Sequence, residues 1–341
     1  MSGIAVVQTA FLGDIVLTTP LLREIKRVRP ELKLTVVTTA LGRDILSGHP
    51  AIDSILVHDK RGADRGPAGV WRAMKALREL KLDAIVAAQR SSRTGLLVRG
   101  SGAQQRIGFA NAPGRWAYTD RVPWVGTEHA TRRYLALSTP LGGSPSKADP
   151  TPMLAVSDHS RATIAALLAN AGVREADRVL AIAPGSIWGT KRWTPEGFAE
   201  VARAARERGL APVLIGGPED APVCREIAAS AGGAISVLAG VTSVADLPAL
   251  LARATALVGN DSGAGHVASA VGTPVVVIFG PTVPAFGYTP WGERNRIVEH
   301  QGLDCRPCDS HGPQTCPLGH HRCMKEIAPE RALAALDAAL S

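Results

Sequence analysis

Aromatic side chains are scarce in this chain: three Tyr, five Phe and six Trp make up 4% of its 341 residues. So few rings leave little for stacking bases, which disfavours a nucleic-acid-binding module. No apolar run approaches the ~18 residues of a membrane span. The stretch Ile4–Gln8 is too short for the apolar core of a secretory signal, so a cytoplasmic protein is expected. An Asp-x-Asp pair is missing throughout. Oxygen ligands of that kind serve transferases that hold a diphosphate through a divalent ion. No internal repeat emerges beyond a shared strand–helix alternation.

What is present describes a globular protein, with 45% hydrophobic and 20% charged residues. The length suits two domains of about 150 residues each. The net charge of +8 is unevenly spread. Residues 1–150 hold 22 Lys and Arg against 12 Asp and Glu, whereas the remainder hold 16 against 18. An acidic partner is therefore expected for the N-terminal half: a phosphorylated or carboxylated substrate, an anionic membrane surface, or nucleic acid.

Short β-branched runs predict strands at Ile4–Gln8, Leu34–Thr38, Ser54–Val57 and Ala84–Ala87, then at Val179–Ala183, Pro212–Ile215, Ala256–Val258 and Val275–Phe279. Helical patterns separate them, among them Leu17–Val28, Ala68–Leu80, Pro195–Arg208 and Leu247–Ala252. Thr194, Pro195 and Gly209 punctuate the third of these as N-cap, first position and stop. Continuous apolar strands alternating with helices indicate parallel sheets covered on both faces. A Gly-, Pro- and Ser-rich stretch from Leu141 to Pro152 suggests a boundary. A further strand at Met153–Val156 and a helix at Ser160–Ala171 follow it. The expected fold is α/β, two doubly wound Rossmann-like domains (residues 1–155 and 156–341) facing across a cleft. Ligands of such sheets bind at the C-terminal ends of the strands.

Residues just after strands are thus the candidates. Gly259-Asn260-Asp261-Ser262-Gly263-Ala264-Gly265-His266 reads as a strand end, a small-residue turn and a helix start, where unpaired N–H groups receive a phosphate. Asp14, after the first strand, reads either as a helix cap or as a general base. Pro184-Gly185-Ser186 and Thr190-Lys191-Arg192-Trp193 combine hydroxyls, an ammonium and a helix start in an anion clamp. Lys191 and Arg192 alone would pass for solvated charges. Glu219 and Asp220 follow Gly216-Gly217-Pro218 and suit ribose hydroxyls or a helix cap. Leu238 to Ser243, with Thr242, is a weaker loop of the same kind. Gln89-Arg90-Ser91-Ser92-Arg93 follows a strand of the basic half. The segment Val70–Arg78 sets Trp71, Met74 and Leu77 on one helical stripe, a packed face or a membrane-surface one.

Four of the five cysteines crowd into Cys305-x2-Cys308-x7-Cys316-x6-Cys323, with His311, His320 and His321 among them. In a reducing compartment this pattern reads as a structural metal site, zinc before iron–sulfur, or as merely buried thiols. Cys224 stands apart and reads as core.

Taken together, Gly13-Asp14-x3-Thr18-Thr19-Pro20, Lys191-Arg192-Trp193, Gly216-Gly217-Pro218, Asp261-Ser262-Gly263-x2-His266 and Gly280-Pro281-Thr282 resemble the bacterial lipopolysaccharide heptosyltransferases, glycosyltransferase family 9, of GT-B architecture. The resemblance covers nearly the whole chain, with the motifs in the family's order. It implies an inverting transfer of heptose from ADP-L-glycero-D-manno-heptose to the lipopolysaccharide inner core, with no metal needed for catalysis. Thr-Thr-Pro is more similar to members that add the second heptose. Asp14 matches the base and Lys191 the diphosphate-binding lysine. Ser186, Thr190, Asp261, Ser262, Gly263, Gly265 and His266 fall to the donor, Glu219 or Asp220 to its ribose and Thr242 to adenine. Thr18, Arg90 and Arg93 fall to the acceptor, an acidic lipid A–Kdo–heptose at the inner membrane surface. The cysteine cluster occurs in only some relatives. Two other readings are a relative using another nucleotide sugar for a different surface glycan, and a basic nucleic-acid-binding protein with a zinc site.

Overall fold

A computed structural model describes residues 3–341 apart from 61 and 234. Its contacts divide the chain into two compact units, Met1–Ala155 and Val156–Ser341. The first is built on strands β1 (Gly3–Val7), β2 (Lys33–Thr38), β3 (Ser54–Val57), β4 (Leu82–Ala87), β5 (Gln105–Phe109) and β6 (Asp120–Val122). They form one parallel sheet in the order β3-β2-β1-β4-β5-β6. The second unit carries β7 (Arg178–Ala183), β8 (Leu210–Leu214), β9 (Ser236–Val237), β10 (Ala256–Asn260), β11 (Val275–Phe279) and β12 (Arg296–Glu299). Their order, β12-β11-β10-β7-β8-β9, repeats the first winding. The chain thus reverses direction across each sheet between β1 and β4, and again between β7 and β10. Crevices for ligands open at such points.

The central strands are apolar without alternation because both of their faces are covered. Every residue of β1, β10 and β11 is buried. In the second unit, Leu180, Ile182, Val258, Val276 and Ile278 share a core with Phe198, Cys224, Met324 and Leu336. The helix Pro329–Leu340 completes this core, packing on β10, β11, β12 and the helix Pro195–Glu207. Thr194 caps Pro195–Glu207 by accepting the Gly197 N–H at 3.1 Å, as the sequence predicts.

Three local expectations are corrected. The helix predicted over Leu17–Val28 is two helices, Leu12–Leu17 and Thr19–Val28. Pro20 has no N–H to donate and fits only a first turn, so it restarts the helix. Met153–Val156 is not a strand: the Met153 N–H goes to the Thr19 hydroxyl at 3.0 Å instead of to a sheet. In the helix Pro67–Glu79 the buried face is Gly69, Ala73 and Leu77, while Trp71 is 63% exposed. Strands β5, β6, β9 and β12 lie toward the sheet edges, where residues such as Gln105, Arg106, Asp120 and Arg296 hide the apolar signal. No helix among the described residues is long and apolar enough to cross a membrane.

Candidate active site

In the first unit, β1 runs into the helix Leu12–Leu17, which places Asp14 in its first turn. The Tyr134 hydroxyl donates to Asp14 Oδ1 at 2.8 Å from the helix Ala130–Ala136. Thr18 donates to the Asp14 carbonyl at 2.7 Å and accepts from Gln8 Nε2 at 3.0 Å. It is 1% exposed, and its hydroxyl shapes this turn. The Arg93 guanidinium donates to the carbonyls of Asp64 (2.6 Å) and Gly66 (3.2 Å), securing the loop before helix Pro67–Glu79. Arg90 differs. It is exposed at the end of β4, with its guanidinium 4.2 Å from the centroid of the Trp124 ring. The buried Arg133 lies 4.5 Å from the same ring. An aromatic face holding an arginine in this way orients a charge that can still meet an anion.

The second unit gathers its polar residues at the end of β7 and β10. Asn260 is fully buried and joins two loops, donating to the Pro184 carbonyl at 2.7 Å and accepting from the Trp193 N–H at 3.0 Å. That tie brings the Lys191 loop over the end of β10. Lys191 Nζ then lies 2.5 Å from Asp261 Oδ2, and the Thr282 hydroxyl donates to the same oxygen at 2.9 Å. An ammonium has three donors, so one bond to Asp261 leaves capacity for a ligand's oxygens. Next along the chain, Ser262 is the N-cap of the helix Gly263–Ala270, but its side chain makes no capping bond. First-turn amides at the positive end of a helix, beside an ammonium, suit a diphosphate. Gly265 and His266 are buried within that helix.

The loop after β8 carries the two acids. Asp220 accepts the Gly217 N–H at 3.0 Å. It packs so closely that a Cβ on Gly185 would lie 2.3 Å from its carboxylate, which accounts for that glycine. Burial raises the Asp220 pKa, opposed by the Gly217 hydrogen bond and reinforced by the charge of Glu219. Glu219 is exposed. The loop bearing Thr242 lies alongside, since the Gly240 N–H donates to the Gly216 carbonyl at 3.0 Å. Ser186 lends its carbonyl to Arg192 Nε at 2.9 Å.

Thr190 is tied to the cysteine-bearing segment. It is 3% exposed, and its hydroxyl goes to the Pro313 carbonyl at 2.5 Å while its own carbonyl meets His321 Nε2 at 2.8 Å. Gln314 bonds the same loop through the Gly189 N–H and the Ile187 carbonyl. The cysteine-bearing segment therefore braces the Lys191 loop. All five cysteines are free of disulfides. Burial raises Cys323 to about 11 and Cys308 upward, each further raised by the other clustered thiols; buried Cys224 is pushed to about 12. Among the described residues no three His, Cys, Asp or Glu side chains gather at a spacing that holds a metal ion.

Sequence reasoning passed over Tyr134, Trp124, Asn260 and Thr282 as site residues. The last two sit inside motifs already singled out, and their position after β10 and β11 is a usable signal. Tyr134 and Trp124 carry none, because Asp14 and Arg90, the candidates they touch, are more than 30 residues away in the chain.

With this geometry in view, comparison with known proteins is informative. Glycosyltransferase family 9 (heptosyltransferase) matches residues 70–318. The chain is 31% identical to lipopolysaccharide heptosyltransferase 3 of Escherichia coli K12 over 82% of its length and 83% of that protein. A glycosyl transferase family 9 structure from Veillonella parvula superposes with a TM-score of 0.84 at 23% identity, covering 99% of this chain and 96% of the other. The E. coli ADP-heptose LPS heptosyltransferase II structure gives 0.80 at 24% identity, covering 99% and 98%. The α/β fold of two doubly wound, Rossmann-like domains is that of these GT-B enzymes.

Proposed function

The chain belongs to glycosyltransferase family 9, and we propose that it moves L-glycero-D-manno-heptose from ADP-heptose to the inner core of lipopolysaccharide. The observation that carries this reading is the Lys191–Asp261–Thr282 cluster at the N-terminus of the helix Gly263–Ala270. In the transfer, the Asp14 carboxylate takes the proton of the acceptor hydroxyl. The acceptor oxygen bonds the anomeric carbon as that carbon's bond to the diphosphate oxygen breaks. ADP leaves with the electron pair, and attack from the opposite face inverts the configuration. Lys191 and the amides of Gly263 and Gly265 meet the charge that grows on the leaving group, a task that needs no divalent ion. Glu219, exposed on the loop after β8, or its neighbour Asp220 takes the ribose. Thr242 faces adenine, and Ser186, Ser262 and His266 complete the donor site.

Arg90 meets the acceptor, an acidic lipid A–Kdo–heptose reached at the cytoplasmic face of the inner membrane. The surplus of Lys and Arg in residues 1–150 supports that polarity. The second heptose is the proposed product, from the Thr18-Thr19-Pro20 variant. Addition of a third is the competing reading, favoured by the likeness to lipopolysaccharide heptosyltransferase 3. Purified protein should release ADP from ADP-heptose only with a heptose-bearing acceptor, and a panel of acceptors ending at the first or second heptose separates the two. ADP release equal with UDP or GDP sugars would move the donor assignment elsewhere.

We further propose a structural metal, zinc before iron–sulfur, on Cys305, Cys308, Cys316 and Cys323, whose side chains would have to draw closer together than in this structure to hold it. A site closed by four thiolates contributes to folding and leaves no position for catalysis. Elemental analysis should find about one equivalent, lost in Cys305→Ser/Cys308→Ser; protein free of both metals would refute it.

A further inference from the structure

Asp14 stands in the first turn of the six-residue helix Leu12–Leu17. A base must meet its proton within hydrogen-bond reach and at a defined angle. One group that holds this carboxylate comes from far along the chain. Tyr134 is 3% exposed, lies in the helix Ala130–Ala136 and donates its phenolic hydrogen to Asp14 Oδ1 at 2.8 Å. A buried phenol needs a hydrogen-bond partner, and at neutral pH it is protonated, so the donor here is unambiguous. The turn below the carboxylate is held as well, through Thr18 on the Asp14 carbonyl and Gln8 on Thr18. Backbone and side chain of Asp14 are thus positioned from two directions.

We infer that Tyr134 is a positioning residue for the transfer step. Its hydroxyl sets the carboxylate plane of Asp14. This rests on Asp14 being the base. When the carboxylate takes the acceptor proton its charge is lost and the phenol's bond weakens, and it strengthens again when the proton departs. Tyr134 itself exchanges no proton with substrate.

Tyr134→Phe keeps the ring and removes only the hydroxyl. It should lower kcat about tenfold or more, while KM for ADP-heptose stays within about twofold, because misorientation of a reacting group is felt in turnover. A thermal unfolding midpoint close to the parent's identifies the loss as functional. The decisive measurement is a cycle with Asp14→Asn. If Tyr134 works through Asp14, adding Tyr134→Phe to Asp14→Asn changes the residual rate by less than about twofold. The same fold-loss in both backgrounds would mean Tyr134 acts independently, and the inference fails. A fully active Tyr134→Phe beside a crippled Asp14→Asn also overturns it and leaves the base intact. A fully active Asp14→Asn removes the base assignment, and the role of Tyr134 with it.

Discussion

Lys191 and Asp261 are held 2.5 Å apart with side chains only 13% and 9% exposed. Both ions have left most of their water, and each is tolerable because of the other. Removing one partner of such a pair strands the other charge. Lys191→Ala is accordingly expected to cost about 3 kcal/mol of stability by denaturant titration, and to weaken ADP binding at least about tenfold by calorimetry. Adding Asp261→Asn should restore the stability but not the affinity. Recovery of both would deny Lys191 its ligand role. Asp220 behaves oppositely. Its folded pKa is raised, chiefly by burial, so the native state holds the proton more tightly than the unfolded chain. Native stability therefore falls, relative to a neutral residue, as pH rises through that folded pKa. Asp220→Asn keeps an oxygen for the Gly217 N–H and never ionises. The variant's unfolding midpoint should gain on the parent's as pH rises above about 4, the ordinary carboxyl value, through the raised folded pKa; a gap that does not change with pH would show that burial of the carboxyl is not felt.

At the level of elements, the helix Pro329–Leu340 is the last piece of the second core, with Leu336 fully buried among strands and helices. Leu336→Ala should cost about 2–5 kcal/mol, the lost transfer energy plus the cavity, read as a lower denaturation midpoint. A cost below about 1 kcal/mol would mean the helix is not packed as described. This is also the scale at which sequence and structure part company. Strands such as β1, β10 and β11 are readable because both faces are buried and no polar residue interrupts them. Strands β5, β6, β9 and β12 are not, since polar residues such as Gln105, Arg106, Asp120 and Arg296 interrupt them. Residues after strands are readable as candidates because a parallel sheet delivers them to one end, as it does Asp14, Lys191 and Asp261. Residue type alone could not show that the polar groups of Thr18, Thr190 and Arg93 bond backbone carbonyls. Tyr134 lay beyond reach because what defines it is a bond across 120 residues.

For the molecule as a whole, two units of the same winding each carry a separate core and separate polar groups at their reversal points. ADP alone should therefore protect the second sheet. At about a hundred times its Kd it adds about 2.7 kcal/mol against opening, so hydrogen exchange is expected to slow in β7 and β10 and not in β1 and β4. Equal slowing in both sheets would contradict this division. The placement of helix Pro329–Leu340 also has a temporal side. Residues 1–155 form a closed unit once synthesised, and domains fold as units during translation. The second sheet is different: β7 emerges first yet sits at its middle, and the Trp193 indole waits for the Ile327 carbonyl, 3.1 Å away in the finished fold. Ribosomes add about 5–20 residues per second, so the nascent Lys191 loop spends on the order of ten seconds without the partners that shape it. Over that interval its exposed apolar strands are a natural client for a chaperone.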